Sequence, residues 1–142
     1  MATVVAPSLT RVPAQFDDQT AFFYGETYLQ RLPVTKLGKV MFLPVLRVVW
    51  IGTQHRMVYA FTESQRHALD FSLDDLAGQL DPRIFFRVHR SSIVNLQHVR
   101  KIATLEDGRC KLMMNDKAGS EITVSRYRTV EFKKALRGEF VA

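Results

Sequence analysis

The chain contains a single cysteine in 142 residues, so Cys110 can form no internal disulfide, and a reducing, cytoplasmic setting is expected. No cysteine and histidine spacing suits zinc. Long apolar runs are missing as well. The longest, Val40 to Leu46, falls far short of the ~20 residues that a bilayer-spanning helix needs, and Pro44 interrupts it. The first residues lack the basic stretch and apolar run of a secretory signal, and no membrane association is expected. Neither a glycine-rich phosphate loop nor a G-x-S-x-G elbow is present. His89 has no neighbouring acid to orient it as a general base. The expectation is a protein that is not an enzyme and needs no cofactor or metal.

What the chain does contain is positive charge, unevenly placed. Hydrophobic residues make up 46% and charged ones 24%, a soluble globular composition, with net charge +6. Residues 1–30 set Arg11 against Asp17, Asp18 and Glu26, whereas the remaining 112 residues hold 19 basic and 11 acidic side chains. A basic domain behind an acidic arm points to a polyanionic partner.

The first twenty residues show no period and read as a flexible lead-in. Ala21 to Leu32 crowds Phe22, Phe23, Tyr24, Tyr28, Leu29 and Leu32 into one turn-rich or helical segment. It reads as a lid on the domain or a dimer contact. Residues 1–31 are thus taken as an arm and 32–142 as the domain. From Val34 the pattern is strand, turn, strand. Lys39–Leu43 and Val45–Ile51 are strand-like, Gly52–Arg56 is a polar turn, and Met57–Phe61 and His67–Phe71 continue as strands. Ser72-Leu73-Asp74-Asp75 starts a short helix whose apolar side is Leu73, Leu76, Ala77 and Leu80, stopped by Asp81-Pro82. Ile84–Val88, Val99–Leu105, Arg109–Met114 and Glu121–Val124 read as strands, with a hairpin turn at Asp107-Gly108. Ser125 is expected to cap a closing helix to Arg137, with Val130, Phe132, Ala135 and Leu136 on its apolar side.

Three polar sites stand out. In Arg87-Val88-His89-Arg90-Ser91-Ser92, alternation puts Phe86 and Val88 on one face and Arg87 and His89 on the other. Between Pro82 and Leu105 lie five basic residues and no acid. One such arginine alone would be a solvated strand face; a cluster with hydroxyls and no carboxylate favours phosphate and base-edge contacts. In Val124-Ser125-Arg126-Tyr127-Arg128, two arginines fall in the first turn of the expected helix, where its dipole disfavours cations and favours an anion. Gln54-His55-Arg56, in a turn, gains interest only from the company of the other two.

The string Phe85-Phe86-Arg87-Val88-His89-Arg90-Ser91-Ser92-Ile93-Val94-Asn95-Leu96, with Val99 and Ile102 after it, resembles the core of the LytTR family of bacterial DNA-binding domains. Ser72-Leu73 with Leu76 and Leu80, and Ile122-Thr123-Val124-Ser125-Arg126 before a terminal helix, extend the resemblance from about Leu32 to Arg137. The resemblance implies a mostly β, elongated antiparallel fold of small sheets, with one short internal helix and a C-terminal helix. It implies a transcription regulator that reads the major groove of double-stranded DNA through loops on one side, at direct repeats and as a homodimer on DNA. Carried over by position, His55, Arg90 and Arg126 are the expected base readers. Arg56, Lys117 and Arg128 are the expected phosphate contacts, with Gln54, Ser91, Ser125 and Tyr127 supporting. His89 and Asn95 are expected to shape the turn through hydrogen bonds. Family members usually carry a sensor domain ahead of this module. Thirty residues are too few for a receiver, which leaves three alternatives open: a separate sensor or regulatory protein brings the signal, the arm itself gates binding, or the chain is a piece of a longer one. The rival readings are a single-stranded nucleic-acid binder, which would need exposed aromatics on the basic face, and a protein-interaction β-domain with incidental charge.

Overall fold

The computed structural model describes residues 28–138. Most of the aromatic segment expected to form a lid or dimer contact, residues 21–27, lies outside them. Among the described residues ten strands make three antiparallel sheets. The first is a hairpin of β1 (Arg31–Lys36) and β2 (Lys39–Pro44). The second has the order β5-β4-β3-β7-β6, from β3 (Trp50–Gln54), β4 (Met57–Phe61), β5 (Arg66–Leu69), β6 (Phe85–His89) and β7 (Ser92–Asn95). The third is β10-β9-β8, from β8 (Val99–Thr104), β9 (Cys110–Met114) and β10 (Glu121–Val124). Helices α1 (Leu73–Gln79) and α2 (Thr129–Leu136) complete the fold.

The five-stranded sheet separates two cores. On one side Ile51, Ala60, Leu69, Phe85 and Ile93 pack with Leu32, Val34 and Leu43 of the hairpin and with Leu73, Leu76 and Leu80 around α1. On the other, Val49, Val88 and Val94 meet Leu112, Met114, Ile122 and Val124, and Phe132 of α2 closes the layer. Neighbours in sequence therefore serve opposite cores: Ile93 and Val94 of β7 point to different sides, as the strand period of two requires, and so do Val48 and Val49 in the extended stretch before β3. This is why the Ile93-Val94 pair at the centre of β7 shows no alternation.

Several sequence expectations need correction. Leu32 belongs to strand β1 rather than to a turn-rich or helical segment. Val45–Arg47 forms a 3-10 turn, and the strand expected there begins only at Trp50 and runs on through Gly52 to Gln54. Gly52 is what admits the strand: the Trp50 ring folds across it and stacks on Phe61 at 4.1 Å, where a Cβ on residue 52 would collide with the indole. Ser72 caps α1 as expected, its Oγ accepting the Asp75 amide at 3.0 Å, but Ala77 is exposed. Ser125 gives no side-chain cap. A 3-10 turn of Arg126–Arg128 intervenes, and α2 begins at Thr129. That helix buries Thr129, Phe132 and Ala135, while Val130 and Leu136 face outward.

Candidate nucleic-acid interface

Three turns meet at one end of the five-stranded sheet. The β3–β4 connection is a two-residue hairpin, because Gln54 pairs with Met57 across it. Its central residues, His55 and Arg56, have φ of 51° and 69°. Two positive φ values in succession are the mark of a type I′ turn, which matches strand twist and ordinarily selects Asn-Gly. Here a histidine and an arginine hold the left-handed conformation at a steric cost of about 1–2 kcal/mol per residue. Both are exposed. Gln54 is engaged instead: its Oε1 accepts from Arg66 Nη1 at 2.9 Å, and that guanidinium lies 4.6 Å over the Tyr59 ring.

The β6–β7 turn lies beside this hairpin, where the Thr53 amide donates to the Ser91 carbonyl at 3.1 Å. His89 Nδ1 stands 2.9 Å from Ser91 Oγ and accepts the Ser91 amide at 3.2 Å. Asn95, fully buried, donates to the Val48 carbonyl at 2.9 Å and accepts the Gln97 amide at 2.9 Å. His89 thus shapes the β6–β7 turn as expected, whereas Asn95, at the far end of β7, instead caps the 3-10 turn that follows the strand and ties it to Val48. Arg87 does not present a free cation. It pairs with Asp74 at 2.5 Å and donates to the carbonyls of Arg90 at 2.6 Å and His89 at 3.4 Å. Arg83 likewise forks onto Asp81, holding that carboxyl below its ordinary range by a side-chain hydrogen bond. The cluster expected to have no carboxylate partner thus has two, supplied by α1 and by the turn after it, which the local sequence window did not include. Arg90, held by its backbone, projects exposed.

The third turn, Ser125–Arg128, joins this end through the Ser125 amide, which donates to Val88 at 3.3 Å, and through Arg128 Nη1, which donates to the Arg87 carbonyl at 2.9 Å. Arg126, Tyr127 and Arg128 are all exposed, and the Arg126 guanidinium lies 5.3 Å over the Tyr127 ring.

Lys117 is placed elsewhere. Its amide donates to the Glu63 carbonyl at 2.8 Å, and the β9–β10 and β4–β5 turns that these residues occupy lie about a strand's length from the other three turns. What occupies the near end instead is the β8–β9 turn. Asp107 accepts the Arg109 amide at 3.1 Å and its Nε at 2.7 Å, and these bonds hold the carboxyl below its usual range. Gly108, at φ 90°, sets its bare Cα against the Arg126 stem, where an added Cβ would lie 3.3 Å from Cγ and Cδ. An open depression of about 430 Å³ lies between the two turns, lined by His89, Asp107, Arg109, Ser125, Arg126 and Tyr127 among others. The sequence marks Arg109 only as the start of a strand. The one available signal was Asp107-Gly108, which fixed a hairpin tip without saying which loop it would meet.

The end so formed gathers five exposed arginines, Arg56, Arg90, Arg109, Arg126 and Arg128, with His55 and the hydroxyls of Ser91 and Ser125. Fold and site together define a β-built module with a basic, exposed end. The chain belongs to the LytTR family: the LytTr DNA-binding domain matches residues 38–137. Among curated relatives it is 32% identical over 108 residues to the heme-containing CO-sensing transcriptional regulator RcoM 1 of Paraburkholderia xenovorans, covering 76% of this chain and 40% of that protein. It is 30% identical over 113 residues to the sensory transduction protein LytT of Bacillus anthracis, covering 80% and 44%. With the transcriptional regulatory protein YpdB of Escherichia coli K12 it shares 24% identity over 103 residues, covering 72% and 42%. The chain thus spans about two fifths of the length of the relatives it matches. A solved LytTr DNA-binding domain of a putative methyl-accepting/DNA response regulator from Bacillus cereus shares the fold, with TM-score 0.68 and 23% identity over 76% of this chain and 97% of that one. Among the described residues no helix is long and apolar enough to cross a membrane.

Proposed function

We propose that the chain is a sequence-specific regulator that reads the major groove of double-stranded DNA through the β3–β4, β6–β7 and Ser125–Arg128 turns. The observation that carries this reading is the convergence of three exposed arginine-bearing turns, distant in sequence, on one end of one sheet. His55, Arg90 and Arg126 are the base readers. Each stands at a turn, exposed, on backbone held by hydrogen bonds or by strand pairing. An arginine fork matches the O6 and N7 acceptors of guanine, and histidine also donates in the groove. Arg56 and Arg128 flank them as phosphate contacts, and Gln54, His89, Ser91, Ser125 and Tyr127 support the loops. Arg109 takes the phosphate role expected of Lys117. Two copies occupy direct repeats on one duplex, with the signal supplied by a separate sensor or regulatory protein.

A single-stranded ligand would need stacking platforms. Tyr127, 84% exposed, is the one exposed aromatic ring at this end among the described residues. Competition between duplex and single strands of one sequence in one salt tests the reading. Duplex preference is expected; equal or stronger single-strand binding would overturn it.

A further inference from the structure

The β1–β2 hairpin carries a surface that DNA reading does not use. Its register divides it cleanly. Leu32, Val34 and Leu43 face the core, while Pro33 pairs with Phe42 and Thr35 with Val40 on the outer face. Phe42 is 54% exposed and Val40 59%. At the tip Leu37 holds a φ of 53° and is 93% exposed. A leucine in a left-handed turn, extended into solvent, is doubly unfavourable unless something covers it. Among the described residues the sheet has no further strand beyond β2.

The surroundings are of one charge. Residues 28–47 include Arg31, Lys36, Lys39 and Arg47 and no acid. None of the four is paired to a carboxylate among the described residues. Arg31 lies 4.8 Å over the Phe42 ring, and Lys36 and Arg47, after burial, contribute to lowering the pKa of nearby His67. A second copy presenting the same face would bring like charges together. The complementary surface is acidic and aromatic, and one stretch of this chain has that composition. Residues 17–26 contain Asp17, Asp18 and Glu26, the aromatic trio Phe22, Phe23 and Tyr24, and no basic residue.

We propose that the outer face of the β1–β2 hairpin seats the chain's own acidic, aromatic segment, residues 17–26. The tether permits it. Leu29 is fixed, its amide donating to the Gln79 carbonyl at 2.9 Å, and Glu26 precedes it by three residues, a reach of up to about 10 Å from that anchor, two residues before β1. Ten extended residues span about 33 Å, longer than the ~20 Å of a six-residue strand. The rings cover Val40, Phe42 and Leu37, and the carboxylates face Lys36 and Lys39.

Chymotrypsin, which cuts after Phe and Tyr, reads this docking in the full chain, because cleavage of a segment that opens and recloses quickly follows its open population. Cleavage at Phe22–Tyr24 is followed by mass spectrometry in the native chain, in V40S/F42S, in K36E/K39E, and in K36E/K39E combined with D17K/D18K. Each variant's fold is checked by Trp50 fluorescence. Cleavage at least about tenfold faster in the first two variants, and restored protection in the charge-swapped one, is expected. Equal rates in all four overturn the proposal. Protection that is lost on dilution also overturns it, in favour of a second copy, as does protection that appears only with anionic vesicles, in favour of a lipid surface. If V40S/F42S fails to fold, the charge-swap series decides alone.

Discussion

The Arg87 guanidinium donates to the backbone carbonyl of Arg90 at 2.6 Å, and the carbonyl of Arg87 in turn accepts from Arg128. One arginine thereby ties two of the three turns together, while Asp74 of α1 holds its other end at 2.5 Å. We propose that it braces Arg90 rather than touching DNA. Arg87→Ala is expected to weaken specific binding by roughly tenfold, about 1.4 kcal/mol, and to blur preference at the base that Arg90 reads. Arg87→Lys is expected to rescue little, because an ammonium cannot serve a carboxylate and two carbonyls in that fork geometry. Titration of matched and mismatched duplexes checks this, and native affinity in Arg87→Ala would remove the brace from the account.

The His55-Arg56 turn holds strain that a better turn sequence would release. The double replacement His55→Asn with Arg56→Gly supplies the residues a type I′ turn prefers. Stability is expected to rise by about 1 kcal/mol, read from urea unfolding, while DNA affinity falls. A gain in stability with unchanged affinity would show that this turn does not touch DNA.

Binding is expected to fall steeply with salt. Three phosphate contacts per copy, from Arg56, Arg109 and Arg128, imply a slope of roughly −3 per bound copy in log K against log salt. Arg109→Ala and Arg128→Ala should each make it shallower by about one, whereas Lys117→Ala, beside Glu63 at the far end, should leave it unchanged. Titrations at four salt concentrations separate these outcomes, and the reverse ranking of Lys117 and Arg109 would place the DNA elsewhere.

Protonation of His67 opposes folding. Burial lowers its pKa, with the charges of Lys36 and Arg47 adding to the effect. The unfolded chain therefore binds the proton more readily. The stability contributed by neutral His67 is complete above its unfolded pKa of about 6.5 and is lost as pH falls through the lower folded value. The melting temperature should decline between pH 7.5 and 5, and less so in His67→Gln. Identical declines in both proteins would rule His67 out as the cause.

Much of this was legible in the residues, for reasons that differ by element. Asp107-Gly108 and Ser72-x-x-Asp75 are local chemistry, and the turn and the cap both formed where that chemistry required. Strand β7 carries no alternation in the sequence, because Ile93 and Val94 feed two cores at once. The strand through Gly52 read as a turn because its permissive contact, the Trp50 ring, stands two residues away on the same face. Among site residues, Arg90 and Arg126 announced themselves by composition. Arg87's partner Asp74 and Arg109's neighbour Arg126 are matters of tertiary placement, and no short window contains them.

The most direct test of base reading by Arg90 and Arg126 is a panel of single-base operator variants titrated against the native chain, Arg90→Lys and Arg126→Lys. Lysine keeps the charge and loses the planar fork. Non-specific affinity should survive in both variants, while discrimination at one base position each falls by about 1–3 kcal/mol. Full native preference at every position in both variants would contradict the account, leaving the two arginines as phosphate clamps and specificity to His55 or to DNA shape.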